Sequence, residues 1–242
     1  MPKLCLNDQI IDTISMHLGC AGLPCCFSQV DRSRYYNDHC IDMILYAYQL
    51  INALIGICEV EMRYNQKILL KNGKEALLRN GDAADGLPVY ENFNATHAET
   101  DYLLTYPDEN SFDPEQEAQF LQEKTDSPDE IEIIAIVDGE VAGTAGIEAA
   151  GKKYKVRHRA EMGVSVLKEY WGLGLGKALT KACVQCAKEA GYTQLELNVV
   201  AENEAAISLY KGLGFVEFGR NPKGFNSRIS GYQELVYMLL EL

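Results

Sequence analysis

Hydrophobic and polar positions alternate regularly along the last three quarters of the chain and predict strands and helices in turn. The β-branched runs Ile131–Val137 and Val141–Ile147 are separated by Asp138-Gly139, a dipeptide typical of a tight hairpin turn. Before them, Asp113 supplies an N-cap, Pro114 a first helical position and Gln116 a third position that together open a helix. The pattern therefore predicts a helix, ending near residue 124, followed by a hairpin.

The remaining pattern completes an alternation of the two element types. Further predicted strands are Ala76–Arg79, Met162–Val166, Gln194–Val200, Phe215–Gly219 and Leu235–Leu240, and further predicted helices are Val89–Ala98, the residues from a glycine-rich loop to Ala190, and Glu204–Leu213. The order is β-α-α-β-β-β-α-β-α-β-β. Hairpins combined with crossovers predict an α/β fold with a mixed, mostly antiparallel central sheet and flanking helices.

The regular pattern begins near Met62, and the residues before it differ in composition. Six of the eight cysteines precede it, and no strand pattern is visible there. We interpret residues 62–242 as one domain and residues 1–61 as an N-terminal extension of uncertain structure. That extension is either non-native or partly disordered, or a genuine helical appendage. Its apolar run 40–58 contains Asp42 and Gln49, which favours a buried or amphipathic helix over a membrane span.

Composition and charge narrow the class of function. The 22 Lys+Arg against 35 Asp+Glu give a formal net charge of -13, which argues against nucleic-acid binding and suits a cationic partner. The first residues lack the apolar segment of a secretory signal, so we expect a cytoplasmic protein with free thiols and no membrane partner. The cysteine spacings lack paired CxxC units with nearby histidines, so we expect no metal. Cys183 and Cys186 share an apolar helical face, which predicts core positions.

Three glycines occupy alternate positions between a predicted strand and a predicted helix: Gly172, Gly174 and Gly176. Such a loop lets backbone N–H groups converge on an anion, and the helix N-terminus adds a positive dipole. Trp171 and Ala178 exclude a Walker P-loop, and Lys177 stands where the dinucleotide fingerprint needs glycine. The loop predicts a pyrophosphate site of another type, with a flexible turn as the alternative.

A second motif, residues 203–210 with the sequence NEAAISLY, precedes KGLGF at residues 211–215. With Val164-Ser165-Val166 and the glycine loop in the same order and spacing, it resembles the GNAT superfamily of acetyl-CoA-dependent N-acetyltransferases over about residues 75–242. The resemblance implies a transferase that moves acetyl from acetyl-CoA, its co-substrate, to a primary amine by direct attack. A catalytically silent acetyl-CoA sensor or scaffold module is the alternative, and Tyr210 weighs against it. Many members carry Gln or Arg at the position of Trp171, a departure that concerns the outer face of the loop.

The resemblance also implies roles for the matching positions. The strand that carries Val164 would splay from its neighbour, its free backbone groups would pair with the pantetheine arm, and the Val164 amide would serve as an oxyanion donor. Asn203 would cap its helix and bind the pantetheine, and Tyr210 would protonate the leaving thiolate. The cofactor-binding positions are Val164, Ser165, Val166, Trp171, Gly172, Leu173, Gly174, Leu175, Gly176, Lys177 and Asn203.

The attacking amine needs a base, because a lysine-like amine has a pKa of about 10.4 and is protonated at neutral pH. Glu161, at the mouth of the same strand, is the candidate base, directly or through water; an exposed strand-end carboxylate is the equally weighted alternative. Glu148 is a weaker candidate. The acceptor stays open among polyamines, aminoglycoside-like antibiotics, amino acids and protein amines, and we expect the Phe225–Tyr232 loop to help select it. A homodimer is compatible with the sequence.

Overall fold

The computed structural model describes residues 63–242, and the expectations for residues 1–61 lie outside that range. Eight strands form one sheet in the order β1-β2-β3-β4-β5-β6-β8-β7. They are β1 (Asn65–Leu69), β2 (Glu75–Asn80), β3 (Ile131–Val137), β4 (Glu140–Ala149), β5 (Arg159–Val166), β6 (Gln194–Val200), β7 (Val216–Ser227) and β8 (Gly231–Glu241). Strands β5 and β6 run parallel, and every other pairing in this sheet is antiparallel, which confirms the predicted mixed architecture.

Four α-helices flank the sheet: α1 (Gly86–Glu99), α2 (Pro114–Asp126), α3 (Leu175–Glu189) and α4 (Glu204–Lys211). The capping box predicted at the start of α2 is present. Asp113 accepts a hydrogen bond from the Gln116 amide at 2.8 Å, and the Gln116 side chain accepts one from the Asp113 amide at 3.0 Å. Such a cap stabilises a helix by about 1 kcal/mol, so this short polar motif fixes where α2 begins.

The sequence pattern did not predict β1. This strand pairs antiparallel with β2 at the edge of the sheet, and four of its five residues are exposed. An edge strand with both faces open to solvent carries no alternation of apolar and polar residues, so its sequence gives no periodic signal.

The prediction of a loop over Phe225–Tyr232 was wrong in extent. Strands β7 and β8 both continue through this region as a long hairpin, which leaves only residues 228–230 as the turn. The β7 side chains are mostly exposed, and the register shifts twice, between Glu217 and Gly219 and between Asn221 and Phe225. Each bulge interrupts the two-residue alternation, and this removes the signal by which a strand is recognised.

The two faces of the sheet have different cores. The larger one lies under α3, where Leu175, Leu179, Cys183 and Cys186 are fully buried, as the helical spacing predicted. The other face is covered by α1 and α2 around a small cluster of Val89, Leu121 and Ile134. We refer to these surfaces as the α3 face and the α1–α2 face.

Candidate active site

The parallel strands β5 and β6 separate after a short common stretch. They pair only at Arg159–Gln194, Ala160–Leu195 and Glu161–Glu196. Beyond that point β5 continues to Val166 and β6 to Val200, while each keeps its antiparallel neighbour on the other side. The two strands therefore enclose a wedge-shaped gap, which we call the splay.

Main-chain groups of β5 face into the splay. In an antiparallel ladder, the residues of a strand alternate between bonding to that neighbour and facing away from it. Two hydrogen bonds, one at each end of the β4–β5 ladder, show which residues of β5 bond to β4. They run from Leu167 N to Ala142 O at 2.9 Å and from Ala150 N to Arg159 O at 3.0 Å. Odd-numbered residues of β5 therefore bond to β4, and the N–H and C=O groups of Val164 point into the splay.

The glycine loop connects β5 to α3 and leaves amide groups without acceptors. Gly172 has φ 75° and Gly174, the N-cap of α3, has φ 99°, and a Cβ on either would meet nothing within 4 Å. Within residues 63–242, no group accepts a hydrogen bond from the amides of Gly172, Gly174, Gly176 or Lys177. Free amides at a helix N-terminus, beside open space, form an anion site.

Hydrogen bonds from two residues, Lys71 and Trp171, hold the glycine loop in place. Lys71, in the turn between β1 and β2, donates its backbone N–H to Leu173 O at 3.1 Å and its Nζ to Gly172 O at 2.9 Å. Because the C=O and N–H of a trans peptide point in opposite directions, the first bond aims the Gly174 amide away from Lys71. Trp171 donates its indole N–H to Val166 O at 2.7 Å, so it ties the loop to the end of β5.

Helix α4 carries the third of the sequence motifs that were predicted to form one site. A Cβ built on Gly176 would lie 3.8 Å from Leu209 of α4 and 4.0 Å from Val166 of β5, so the three sequence motifs meet at this glycine. Asn203 caps α4 by accepting a hydrogen bond from the Ala206 amide at 3.2 Å, which confirms the capping part of its prediction. Its binding to pantetheine stays a prediction.

Tyr210 packs its ring against Phe215 at 5.8 Å, and no group in the described part of the chain bonds to its hydroxyl. Burial, with a smaller contribution from Cys183, raises the pKa of Tyr210 to about 12. The hydroxyl therefore keeps its proton at neutral pH and can donate it.

Three carboxylates form a row across the sheet at the mouth of the splay. Glu148, Glu161 and Glu196 are direct neighbours on β4, β5 and β6. Lys124 pairs with Glu148 at 2.8 Å, and Arg159 binds Glu196 through two hydrogen bonds. Glu161 is exposed, and in the described region it forms no ion pair. Of the two predicted base candidates, Glu161 is therefore the one whose carboxylate is not already neutralised by a lysine.

Sequence reasoning missed Glu132, on β3. Its carboxylate lies directly over Gly146 of β4, where a Cβ would approach Glu132 Oε2 to 2.0 Å. Burial raises the pKa of Glu132 to about 8, and a hydrogen bond with Thr144 partly offsets that rise. The available signal was a single Glu in an otherwise apolar strand, facing a Gly in the partner strand of the predicted hairpin.

The hairpin β7–β8 is locked to the loop 100–110. Asp101 accepts hydrogen bonds from Ser227 Oγ at 2.7 Å, Ser230 Oγ at 2.8 Å and Tyr106 OH at 3.2 Å. Ile229 at the hairpin turn, the end of α1 and this loop line a cleft of about 330 Å³. The hairpin turn predicted to select the acceptor thus lies against a shaped cleft.

Residues 63–242 contain no group of three or more His, Cys, Asp or Glu side chains that could hold a metal ion. None of the four helices in this range has the length and apolar character needed to cross a membrane.

A sequence model of the acetyltransferase (GNAT) family matches residues 95–215. The chain is 27% identical to an acetyltransferase of the GNAT family from Streptococcus pneumoniae, with a TM-score of 0.66 over 69% of this chain and 99% of that one. It is 26% identical to the L-amino acid N-acetyltransferase AaaT of Escherichia coli, over 68% of this chain and 96% of the relative.

A shorter segment is similar to the mycothiol acetyltransferase of Paenarthrobacter aurescens, with 49% identity over 55 residues, or 23% of this chain. That match spans 17% of the relative's length. The chain spans about half or less of several other curated relatives that it matches.

Proposed function

Because the chain belongs to the GNAT acetyltransferase family, we propose that it is an N-acetyltransferase that moves acetyl from acetyl-CoA to a primary amine. One observation carries the proposal: the end of β5 beside the splay, the glycine loop with its free amides and the helix that carries Tyr210 meet at Gly176. We place this activity in residues 62–242 and give residues 1–61 no part in it. The cytoplasm stays the proposed compartment, on the sequence argument alone.

The residues present fit acetyl-CoA, which when bound would supply a thioester carbonyl open to nucleophilic attack. Of the amides from Gly172 to Lys177, those of Gly172, Gly174, Gly176 and Lys177 would hold the pyrophosphate, since they lie unpaired at the N-terminus of α3. Val164, Ser165, Val166 and Asn203 would hold the pantetheine arm, and Trp171, Leu173 and Leu175 would shape the loop around it. The Val164 amide would donate a hydrogen bond to the developing oxyanion, and Tyr210 would protonate the leaving thiolate.

The acceptor amine must lose a proton before it can attack. We assign this step to Glu161, acting through water at the open mouth of the splay, with Glu148 as the weaker alternative. The Lys124 ion pair at 2.8 Å supports this ranking, because it holds the Glu148 carboxylate. The Glu161 carboxylate, which has no ion pair in the described region, also favours a cationic acceptor over an anionic one.

The acceptor is an amine-bearing small molecule or protein. The names of the relatives include L-amino acid and N-alpha acetylation, so they do not single out one substrate. The formal net charge of -13 and the Glu161 carboxylate at the mouth favour acceptors that carry additional positive charge, such as polyamines or basic amino acids.

A thiol-release assay tests the proposal directly. The full chain is mixed with acetyl-CoA and a panel of polyamines, aminoglycosides, amino acids and basic peptides, and free CoA thiol is measured. We expect amine-dependent release with at least one member. Calorimetry of acetyl-CoA binding to the same preparation separates the alternatives: tight binding with no release by any amine would overturn the enzymatic proposal in favour of a sensor or scaffold. Absence of binding would overturn the site assignment as well.

A further inference from the structure

Two glycines open a path over the α1–α2 face of the sheet. Glu132 on β3, Gly146 on β4 and Gly163 on β5 are consecutive partners in one row, so their side-chain positions lie on the same face. The Glu132 carboxylate occupies the place where a Gly146 side chain would be, and nothing lies within 4 Å of a Cβ on Gly163. No side chain of this row therefore stands between the Glu132 carboxylate and the space above Gly163.

That space adjoins the splay. Neighbouring strands lie about 4.8 Å apart, so the Glu132 carboxylate above Gly146 is one strand spacing from Gly163, which directly precedes Val164. Glu161 lies three residues before Val164, or roughly 10 Å along the strand at about 3.3 Å per residue. Both carboxylates thus lie on the α1–α2 face near Val164, with Glu132 reaching across β4 and the exposed Glu161 at the mouth of the splay.

We propose that Glu132 is a second catalytic carboxylate of the acetyl transfer, which takes the proton that the acceptor nitrogen sheds after the C–N bond has formed. The inference rests on the proposed function. It divides the two deprotonations between two groups: Glu161 acts on the ammonium before attack, and Glu132 acts on the nitrogen during transfer.

The proton and bond count requires two such events. An ammonium acceptor first loses one proton to become a nucleophile. Its nitrogen then bonds to the acetyl carbon, the C–S bond breaks with its electron pair on sulfur, and Tyr210 protonates that sulfur. The nitrogen, now positively charged, releases a second proton to Glu132, and that proton restores Tyr210 through solvent. The net products are the amide, CoA thiol and one proton.

The surroundings of Glu132 suit a group that accepts a proton near neutral pH. Burial is the largest cause of its raised pKa of about 8; Glu117 of α2 and Glu148 of β4 raise it further, whereas Lys124 of α2 lowers it. From the other face of the sheet, Cys183 of α3 is near enough to interact electrostatically with Glu132. The carboxyl is ionised above pH 8, so the rate of a step that needs its anion rises with pH through that region.

The decisive experiment compares Glu132→Gln with Glu161→Gln across pH, using a panel amine that the unaltered enzyme acetylates. Loss of a positioned base costs about 100-fold or more, so above pH 8, where Glu132 is ionised, we expect Glu132→Gln to lower kcat by that factor. Below pH 8 the loss should shrink, because Glu132 is protonated in the unaltered enzyme, and the variant should show no kcat rise near pH 8. The loss of kcat in Glu161→Gln should become smaller as the pH rises toward the amine pKa of about 10.4, because the amine is then largely neutral without help from a base. Glu140→Gln, an exposed acid at the far end of β4, is the control and should match the unaltered enzyme.

Two further variants keep the test independent of whether Glu132→Gln folds. Gly146→Ala should displace the Glu132 carboxylate and reproduce the loss of kcat with unchanged acetyl-CoA affinity. Glu117→Gln should move the kcat rise below pH 8, because it removes a charge that raises the Glu132 pKa. Provided that the unaltered enzyme is active, either of two results would overturn the inference. One is a kcat of Glu132→Gln within about threefold of the unaltered enzyme above pH 8. The other is a kcat of this variant that still rises near pH 8. Inactivity of the unaltered enzyme with every amine would instead overturn the proposed function.

Discussion

The glycine loop and the α1–α2 face present two kinds of binding surface on either side of the splay. The loop offers main-chain N–H groups, three of them on glycines, and two of these glycines have positive φ angles. The α1–α2 face offers carboxylates, each with its own partners and its own environment. A main-chain site depends on backbone shape, whereas a side-chain site depends on individual residues and on pH.

The difference predicts different consequences of mutation. Within the loop, a side chain can change without loss of the N–H groups, so we expect the residue at Trp171 to matter little for the proposed anion site. On the α1–α2 face, a single Glu→Gln change removes a proton acceptor and leaves the backbone intact. The predictions below test this contrast, from the largest expected effect to the smallest.

Gly174→Asp should severely weaken acetyl-CoA binding. The residue adopts φ 99° at the N-cap of α3, so any side chain strains the backbone there, and a carboxylate would also repel the pyrophosphate. Hydrogen bonds to charged groups contribute about 1.5–3 kcal/mol each, so loss of one or two weakens binding by roughly 100-fold. Calorimetric titration of acetyl-CoA gives the measurement.

Gly191→Asp is the matched control for that variant. It follows the other end of the same helix, has φ 84°, and likewise has nothing within 4 Å of a Cβ. Both variants therefore carry similar strain and the same added charge, and only the first lies at the proposed anion site. Equal affinities for acetyl-CoA in the two variants would show that the glycine loop does not hold the pyrophosphate.

Tyr210→Phe should slow turnover by about 100-fold with unchanged acetyl-CoA affinity, since it removes a proton donor and keeps the ring. Because burial raises the Tyr210 pKa to about 12, the donor stays protonated below that pH, and loss of its proton should not lower the rate at pH 9 or 10. Tyr192→Phe alters another tyrosine whose pKa burial raises to about 12, beyond the far end of α3, and should turn over normally. A weakened affinity with normal kcat in Tyr210→Phe would remove this residue from the acid role.

Asp101→Asn should raise the KM for the acceptor about threefold to tenfold and leave acetyl-CoA affinity unchanged. Burial alone would raise the pKa of Asp101, but hydrogen bonds from Ser227, Ser230 and Tyr106 outweigh it and lower the pKa. The amide retains only part of these bonds, at a cost of about 1 kcal/mol each, so the hairpin loosens beside the cleft. Asp108→Asn is the control: Asp108 lies in the same loop as Asp101, and the variant breaks only an exposed ion pair with Arg228 of the hairpin turn, so it should change the KM less. A larger effect of Asp108→Asn would contradict the role of the Asp101 network.

The same contrast explains what the sequence could predict. The glycine loop, the Asn203 cap and the core position of Cys183 depend on local spacing along one strand or helix, and the structure places all three as expected. Glu132 depends on which residue faces it across two neighbouring strands, and Asp101 on a partner 126 residues away. Strand register and long-range hydrogen bonds leave no periodic trace in one sequence.

The smallest expected effect belongs to Lys71→Met. The variant removes the bond from Nζ to Gly172 O but keeps the main-chain bond to Leu173 O, which by peptide geometry aims the Gly174 amide. An exposed hydrogen bond of this kind contributes about 0.5–1 kcal/mol, so acetyl-CoA binding should weaken only about twofold to fivefold, with kcat unchanged. Lys67→Met, which removes an exposed pair with Glu75 on the same hairpin, is the control and should bind normally. If Lys71→Met instead lost affinity for acetyl-CoA as severely as Gly174→Asp, a side chain rather than the main chain would dominate phosphate binding. The distinction between a main-chain site at the loop and a side-chain site on the α1–α2 face would then be wrong.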